Sequence, residues 1–180
     1  GNHDDRITFA SVFGGTDEAG FIQHRIARGG SHFLFLDTLK GGQSSAGLYD
    51  EPRRDWLRRE LSGGSETVIF MHHPPFPIHH PLMDLIKLED EGSFAALLEG
   101  KPVRHIFFGH AHRTISGAWR GIGYSALPGI NHQLPLAGGS VPTVYSDEPP
   151  MYAVVHMTPG QTTVHSDAFM HRAAALMAPE

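Results

Sequence analysis

The apolar positions change period along the chain, and each change marks an element. From Asp5 to Phe13, the residues Phe9, Val12 and Phe13 fall at helical spacing behind the acidic pair Asp4-Asp5, which predicts a short helix closed by Gly14-Gly15. Runs from Gly20 to Ala27 and from Ser31 to Leu39 flank Gly29-Gly30, a glycine pair suited to the positive φ of a tight hairpin turn. Within the second run Phe33-Leu34-Phe35-Leu36 is almost continuously apolar, the pattern of a strand covered on both faces. A Gly/Ser-rich loop from Gly41 to Gly47 leads to Asp50-Glu51-Pro52 and then to Trp56, Leu57 and Leu61, which predicts an amphipathic helix ending at Gly63-Gly64. Thr67 to Met71 and Val103 to Phe108 read as buried strands. Between them lie a proline-broken loop, Pro74 to Pro81, and a helix around Phe94 to Leu98.

Beyond that point the pattern shortens. Thr114 to Trp119, Ile122 to Leu127, Tyr152 to Met157 and Gln161 to His165 are strand-like runs divided by glycine and proline, and we read them as an antiparallel portion. A long loop from about Pro128 to Pro150 carries Asn131-His132, taken as ordinary loop residues. There is no internal repeat. The expected organisation is one domain, with 1–128 as its core and 129–180 as a strand-rich closing segment.

Composition narrows the chemistry. The length of 180 residues suits a single domain, and the 40% hydrophobic and 18% charged fractions are those of a globular chain. A formal charge of -5 leaves no broad basic surface for a nucleic-acid duplex. No apolar run approaches the roughly 20 residues of a membrane span, and cytoplasmic is the default location. With no cysteine, thiolate ligands are excluded, and the 14 histidines become the notable donors.

Their clustering is informative. Gly1-Asn2-His3-Asp4, Met71-His72-His73-Pro74-Pro75 and Gly109-His110-Ala111-His112-Arg113 each lie in a loop, and the last two directly follow predicted parallel strands. Open α/β sheets hold their sites at strand carboxyl ends, so both clusters are expected at one edge. Asn2, His72, His110 and His112 offer amide and imidazole donors for two adjacent ions of the kind that hydrolyse phosphate esters. His110 and His112, two apart on a segment read as extended, would each serve one ion. His3 would lie near a bound phosphate, where its protonated form can donate to a leaving alkoxide, and Asp4 would orient it. His24, His32, His156, His165 and His171 read as ordinary histidines.

In order and spacing these three motifs resemble the calcineurin-like metallophosphoesterases, and the His-His-Pro-Pro and Gly-His-x-His-Arg runs look most like the cyclic nucleotide and glycerophosphodiester phosphodiesterase branch. The resemblance covers residues 1 to about 130 and implies an α/β fold, a metallophosphoesterase-type sandwich of mixed sheets flanked by helices with a strand-rich C-terminal portion. It implies that Asn2, His72 and His110 bind one ion, that His112 binds the other, and that His3, supported by Asp4, contacts the phosphate. His73 matches no ligand position. Two divalent or trivalent ions, Mn, Fe or Zn, are the implied cofactors, and the substrate would be a small-molecule phosphodiester attacked by a metal-bound hydroxide.

The sequence also departs from the family. The Asp-x-His and Gly-Asp motifs that supply the remaining ligands occur nowhere in it, so an N-terminally truncated domain is expected, with about 60–80 residues of two βα units before Gly1 and impaired activity in this chain. The C-terminal strands are the expected route to a homo-oligomer. Two other readings stand beside the phosphodiesterase. One is a non-catalytic interaction module on the same fold, and the other is a pyrophosphohydrolase of lipid or nucleotide precursors.

Overall fold

The computed structural model describes residues 1–136 and 145–169. Its centre is a mixed six-stranded sheet built from β1 (His24–Arg28), β2 (Ser31–Phe35), β3 (Thr67–Met71), β4 (Val103–Phe108), β5 (Ile115–Trp119) and β6 (Ile122–Ala126). The strand order is β1-β2-β3-β4-β6-β5. Helices α1 (Arg6–Phe13), α2 (Glu51–Leu61) and α3 (Glu91–Leu98) lie in the connections, and β7 (Met151–Thr158) pairs with β8 (Gln161–Ala168) in a separate two-stranded sheet. No helix among the described residues is long and apolar enough to cross a membrane.

The β1–β2 hairpin forms where the glycine pair permits it, with Gly29 and Gly30 at φ +58° and +82°. Strands β2, β3 and β4 run parallel, with α2 in the crossover from β2 to β3 and α3 in that from β3 to β4. Leu57 and Leu61 of α2 and Phe94, Leu97 and Leu98 of α3 are buried with Leu34, Ile69 and Ile106 in one core cluster. Removing that apolar area from water is the main force holding the helices to the sheet.

Four expectations change. The segment after β4 is antiparallel only in part. Arg120-Gly121 turns β5 back onto β6, and β6 then pairs in parallel with β4, so residues 115–126 complete the main sheet. The Phe33–Leu36 run is covered on one face only. Leu34 and Leu36 are buried, whereas Phe35 is half-buried and stacks at 4.8 Å on Phe70, itself 5.1 Å from Phe107. Helix α1 forms as expected, capped by Asp5 and closed at Gly14, but it buries none of its residues. The proline-rich loop holds a single 3-10 turn, Met83–Leu85, that the sequence pattern did not indicate. His171 and residues 137–144 and 170–180 of the expected closing segment lie outside the described residues.

Candidate metal centre

Neighbouring parallel strands release their chains at the same edge. Met71 of β3 pairs with Phe108 of β4, so His72 and Gly109-His110 emerge side by side, and the Gly109 amide donates to the His72 carbonyl at 3.1 Å. The turn after β2 brings Asp37-Thr38 to that edge, and the end of β6 brings the segment from Leu127 to Leu134. The opening loop closes over it. Gly1 lies so near the His72 ring that a β-carbon there would stand 2.6 Å from it.

His72 Nε2 is the meeting point. It stands 2.8 Å from Asn2 Oδ1 and 3.2 Å from His110 Nδ1. The ligand atoms of His72, His73 and His110 all lie within 4.8 Å of one another. His110 Nε2 is buried with no close hydrogen bond, although the Ile86 backbone carbonyl lies near enough to the ring to favour its protonated form slightly. His110 and His112 are also not on an extended segment, a correction to the sequence reading. They adopt left-handed backbones at φ +64° and +49°, with Ala111 between them. Non-glycine residues hold such conformations at a cost of about 1–3 kcal/mol each, and they gather at functional sites.

The remaining histidines are sorted by their hydrogen bonds. His73 is fully buried; its Nε2 donates to the Ser45 carbonyl at 3.2 Å and its Nδ1 accepts from the Thr38 hydroxyl at 2.8 Å, so both ring nitrogens are engaged. Gly47 makes room for it, since a β-carbon there would stand 2.5 Å from the ring. His112 donates through Nδ1 to the His132 carbonyl at 2.7 Å and stacks on the His132 ring, which leaves its Nε2 lone pair available. A β-carbon at Gly129 would stand 2.8 Å from His112 Nδ1. His3 is exposed, and Asp4 accepts a hydrogen bond from the Gly1 amino group. Thr38, Ser45, Gly47, Gly129 and His132 were not singled out from sequence as parts of the site. Their one legible signal was position, after β2 or β6 at the shared edge.

Burial drives the clustered imidazoles towards the neutral form, and neighbouring imidazoles push the same way. His72 falls to about 2, His73 to about 3 and His110 to about 4. Neutral imidazole is the form that binds a metal ion. With an amide oxygen, convergent neutral imidazoles and no thiolate, the residues fit a Zn, Mn or Fe ion.

No family model matches the chain. It is 33% identical over 181 residues to a protein described as a probable cyclic nucleotide phosphodiesterase from Rhodopseudomonas palustris, a match that covers 95% of this chain and 65% of the relative. It is 30% identical over 188 residues to a glycerophosphodiester phosphodiesterase from Enterobacter lignolyticus, covering 99% of this chain and 66% of that one. The chain thus spans just under two thirds of the length of these curated relatives. A dimetal phosphatase from Danio rerio superposes with a TM-score of 0.59 at 16% identity, over 72% of this chain and 59% of the other. That likeness shows the shared fold, an α/β sandwich of mixed sheets flanked by helices with a strand-rich C-terminal region.

Proposed function

Because the chain belongs to the calcineurin-like metallophosphoesterase superfamily, related to its cyclic nucleotide and glycerophosphodiester phosphodiesterase branch, we propose that it serves metal-dependent hydrolysis of a small phosphodiester of one of those two types. The observation that carries this reading is the convergence of Asn2 Oδ1 and His110 Nδ1 on His72 Nε2. Asn2, His72 and His110 would hold one ion, and His112 would offer its free Nε2 to a second. A bound ion of this kind lowers the pKa of its water and stabilises charge on phosphoryl oxygens.

The protein groups supply the rest. His73, locked between Thr38 and Ser45, holds the loop that presents His72. The His132 carbonyl keeps the proton of His112 on Nδ1. Exposed beside the cluster, His3 is free to swing a protonated ring nitrogen towards the departing ester oxygen and leave it as a neutral alcohol, with Asp4 supporting the imidazolium.

The test is a Mn, Zn and Co titration of the protein, joined to hydrolysis of bis(p-nitrophenyl) phosphate. His72→Ala and His110→Ala are expected to abolish metal binding. His3→Ala is expected to preserve it while slowing diesters with alkoxide leaving groups by about 10²–10⁴ and sparing the p-nitrophenolate ester. Failure to bind any of these metals would overturn the proposal, and release of phosphate only from pyrophosphates would move it to the pyrophosphohydrolase reading.

A further inference from the structure

Residues 1–13 carry Asn2 and His3, yet the structure ties them to the rest of the protein at very few points. Helix α1 buries nothing, and Ile7, Val12 and Phe13 stand exposed on it. Among the described residues, the hydrogen bonds leaving this segment are that of Asn2 with His72 and those of Arg6. The Arg6 guanidinium meets Asp37 in a two-pronged pair, Nε to Oδ2 at 2.6 Å and Nη2 to Oδ1 at 2.9 Å, and Nη2 also donates to the Leu39 carbonyl. It lies over the Phe21 ring, 5.1 Å from its centre.

The anchor is itself rigid. Asp37 is buried and accepts from the Ile22 amide at 3.0 Å and the Leu39 amide at 2.9 Å, while buried Arg53 donates to the Asp37 and Leu39 carbonyls at 3.1 and 2.9 Å. Thr38, the next residue, holds His73. One two-residue step after β2 therefore contacts both loops, the His72-His73 loop through Thr38 and the opening loop through Arg6. Between Arg6 and Asn2 the chain has little freedom. The Asp4 amide donates to the Gly1 carbonyl at 3.1 Å, and Asp5 caps α1 by accepting from the Thr8 amide at 2.8 Å. A planar guanidinium gripped at two oxygens cannot rotate as a single-point contact can.

We infer that Arg6 is a positioning residue of the metal centre: through its fork on Asp37 it holds Asn2 against His72. This rests on the assignment of Asn2 as a ligand. Arg6→Met keeps the stem and removes the fork, Arg6→Lys keeps the charge with one prong, and Asp37→Asn weakens the anchor from the other side. In the full 180-residue chain, Co(II) affinity, amide hydrogen exchange of residues 2–14 and the thermal midpoint are measured for each. Arg6→Met is expected to weaken Co(II) binding about 10–100-fold and to speed exchange at the Phe9 and Gly14 amides. Asp37→Asn should act in the same direction, and Arg6→Lys should recover part of the affinity. In an Asn2→Ala background Arg6→Met should add no further loss, because its effect passes through Asn2. An equal loss of Co(II) affinity with and without Asn2, or unchanged affinity and exchange, overturns the inference. If Asn2→Ala alone leaves Co(II) affinity unaltered, the ligand assignment falls and the inference falls with it.

Discussion

A fully buried ring with both nitrogens satisfied is a fixed point, and His73 is one: Thr38, Ser45 and the bare backbone of Gly47 enclose it. Gly47→Ala would place a methyl 2.5 Å from the ring carbon, and the ring has no solvent-facing side to move into. Overpacking of this kind costs about 1–3 kcal/mol, so the urea midpoint should fall and metal affinity should fall with it. An unchanged midpoint would mean the loop yields instead. Protonation gives a second residue-scale expectation. With His72, His73 and His110 held at about 2, 3 and 4 by burial first, the folded protein refuses protons that the unfolded chain takes up near pH 6.5. Stability is therefore undiminished by these groups above about pH 6.5 and declines as pH falls from there towards the folded values, by about 1 kcal/mol per group per unit. In chelator-treated protein the thermal midpoint should drop by several degrees between pH 6.5 and 5.5. A flat profile would show that the imidazoles are wetter than the structure indicates.

At the scale of elements, the strands that carry the site were the plainest part of the sequence. Thr67–Met71 and Val103–Phe108 are short apolar runs that lead straight into histidine, and the structure pairs them in parallel as expected. Ile106 sits in the middle of that pairing, fully buried between Ile69 and Tyr124 on neighbouring strands. Ile106→Ala should cost about 2–5 kcal/mol in urea unfolding, and less than 1 would mean the sheet collapses around the gap. What stayed illegible follows from one strand. Ile122–Ala126 has the same short, glycine-bounded look whether it pairs parallel or antiparallel, because pairing direction is a long-range property that local pattern does not carry. Asn131-His132, beyond it, reads in sequence only as an ordinary pair in a long loop. Paired in parallel with β4, the strand delivers His132 to the same edge as His110, where its carbonyl orients His112. The left-handed turns at His110 and His112 were hidden for a related reason, since only glycine announces a positive φ in sequence. Arg6 was legible only as part of a helix; its partner Asp37 is 31 positions away.

For the whole molecule, the distribution of donors decides how many ions residues 1–180 hold. The His72 and His110 imidazoles and the Asn2 oxygen converge, whereas His112 faces the neighbouring position with no carboxylate donor assigned beside it. One ion should therefore bind this chain far more tightly than a second. Binding to the folded state alone raises stability by RT ln(1 + [L]/Kd), which is about 2.7 kcal/mol at a hundredfold excess over Kd. In a domain of this size that lifts the thermal midpoint by roughly 5–11 °C. The rise should saturate at one Zn or Mn per chain and reverse with chelator. It should vanish in His110→Ala, whose Nδ1 stands at the convergence with His72 and Asn2, and persist in His112→Ala, whose loss touches only the second position. The comparison of those two variants is what gives the measurement its force, because both remove a left-handed imidazole from the same turn. Equal loss in both would mean that the turn, and not the ligand set, controls binding. Saturation at two ions per chain with full diester turnover would place a complete binuclear centre within these residues.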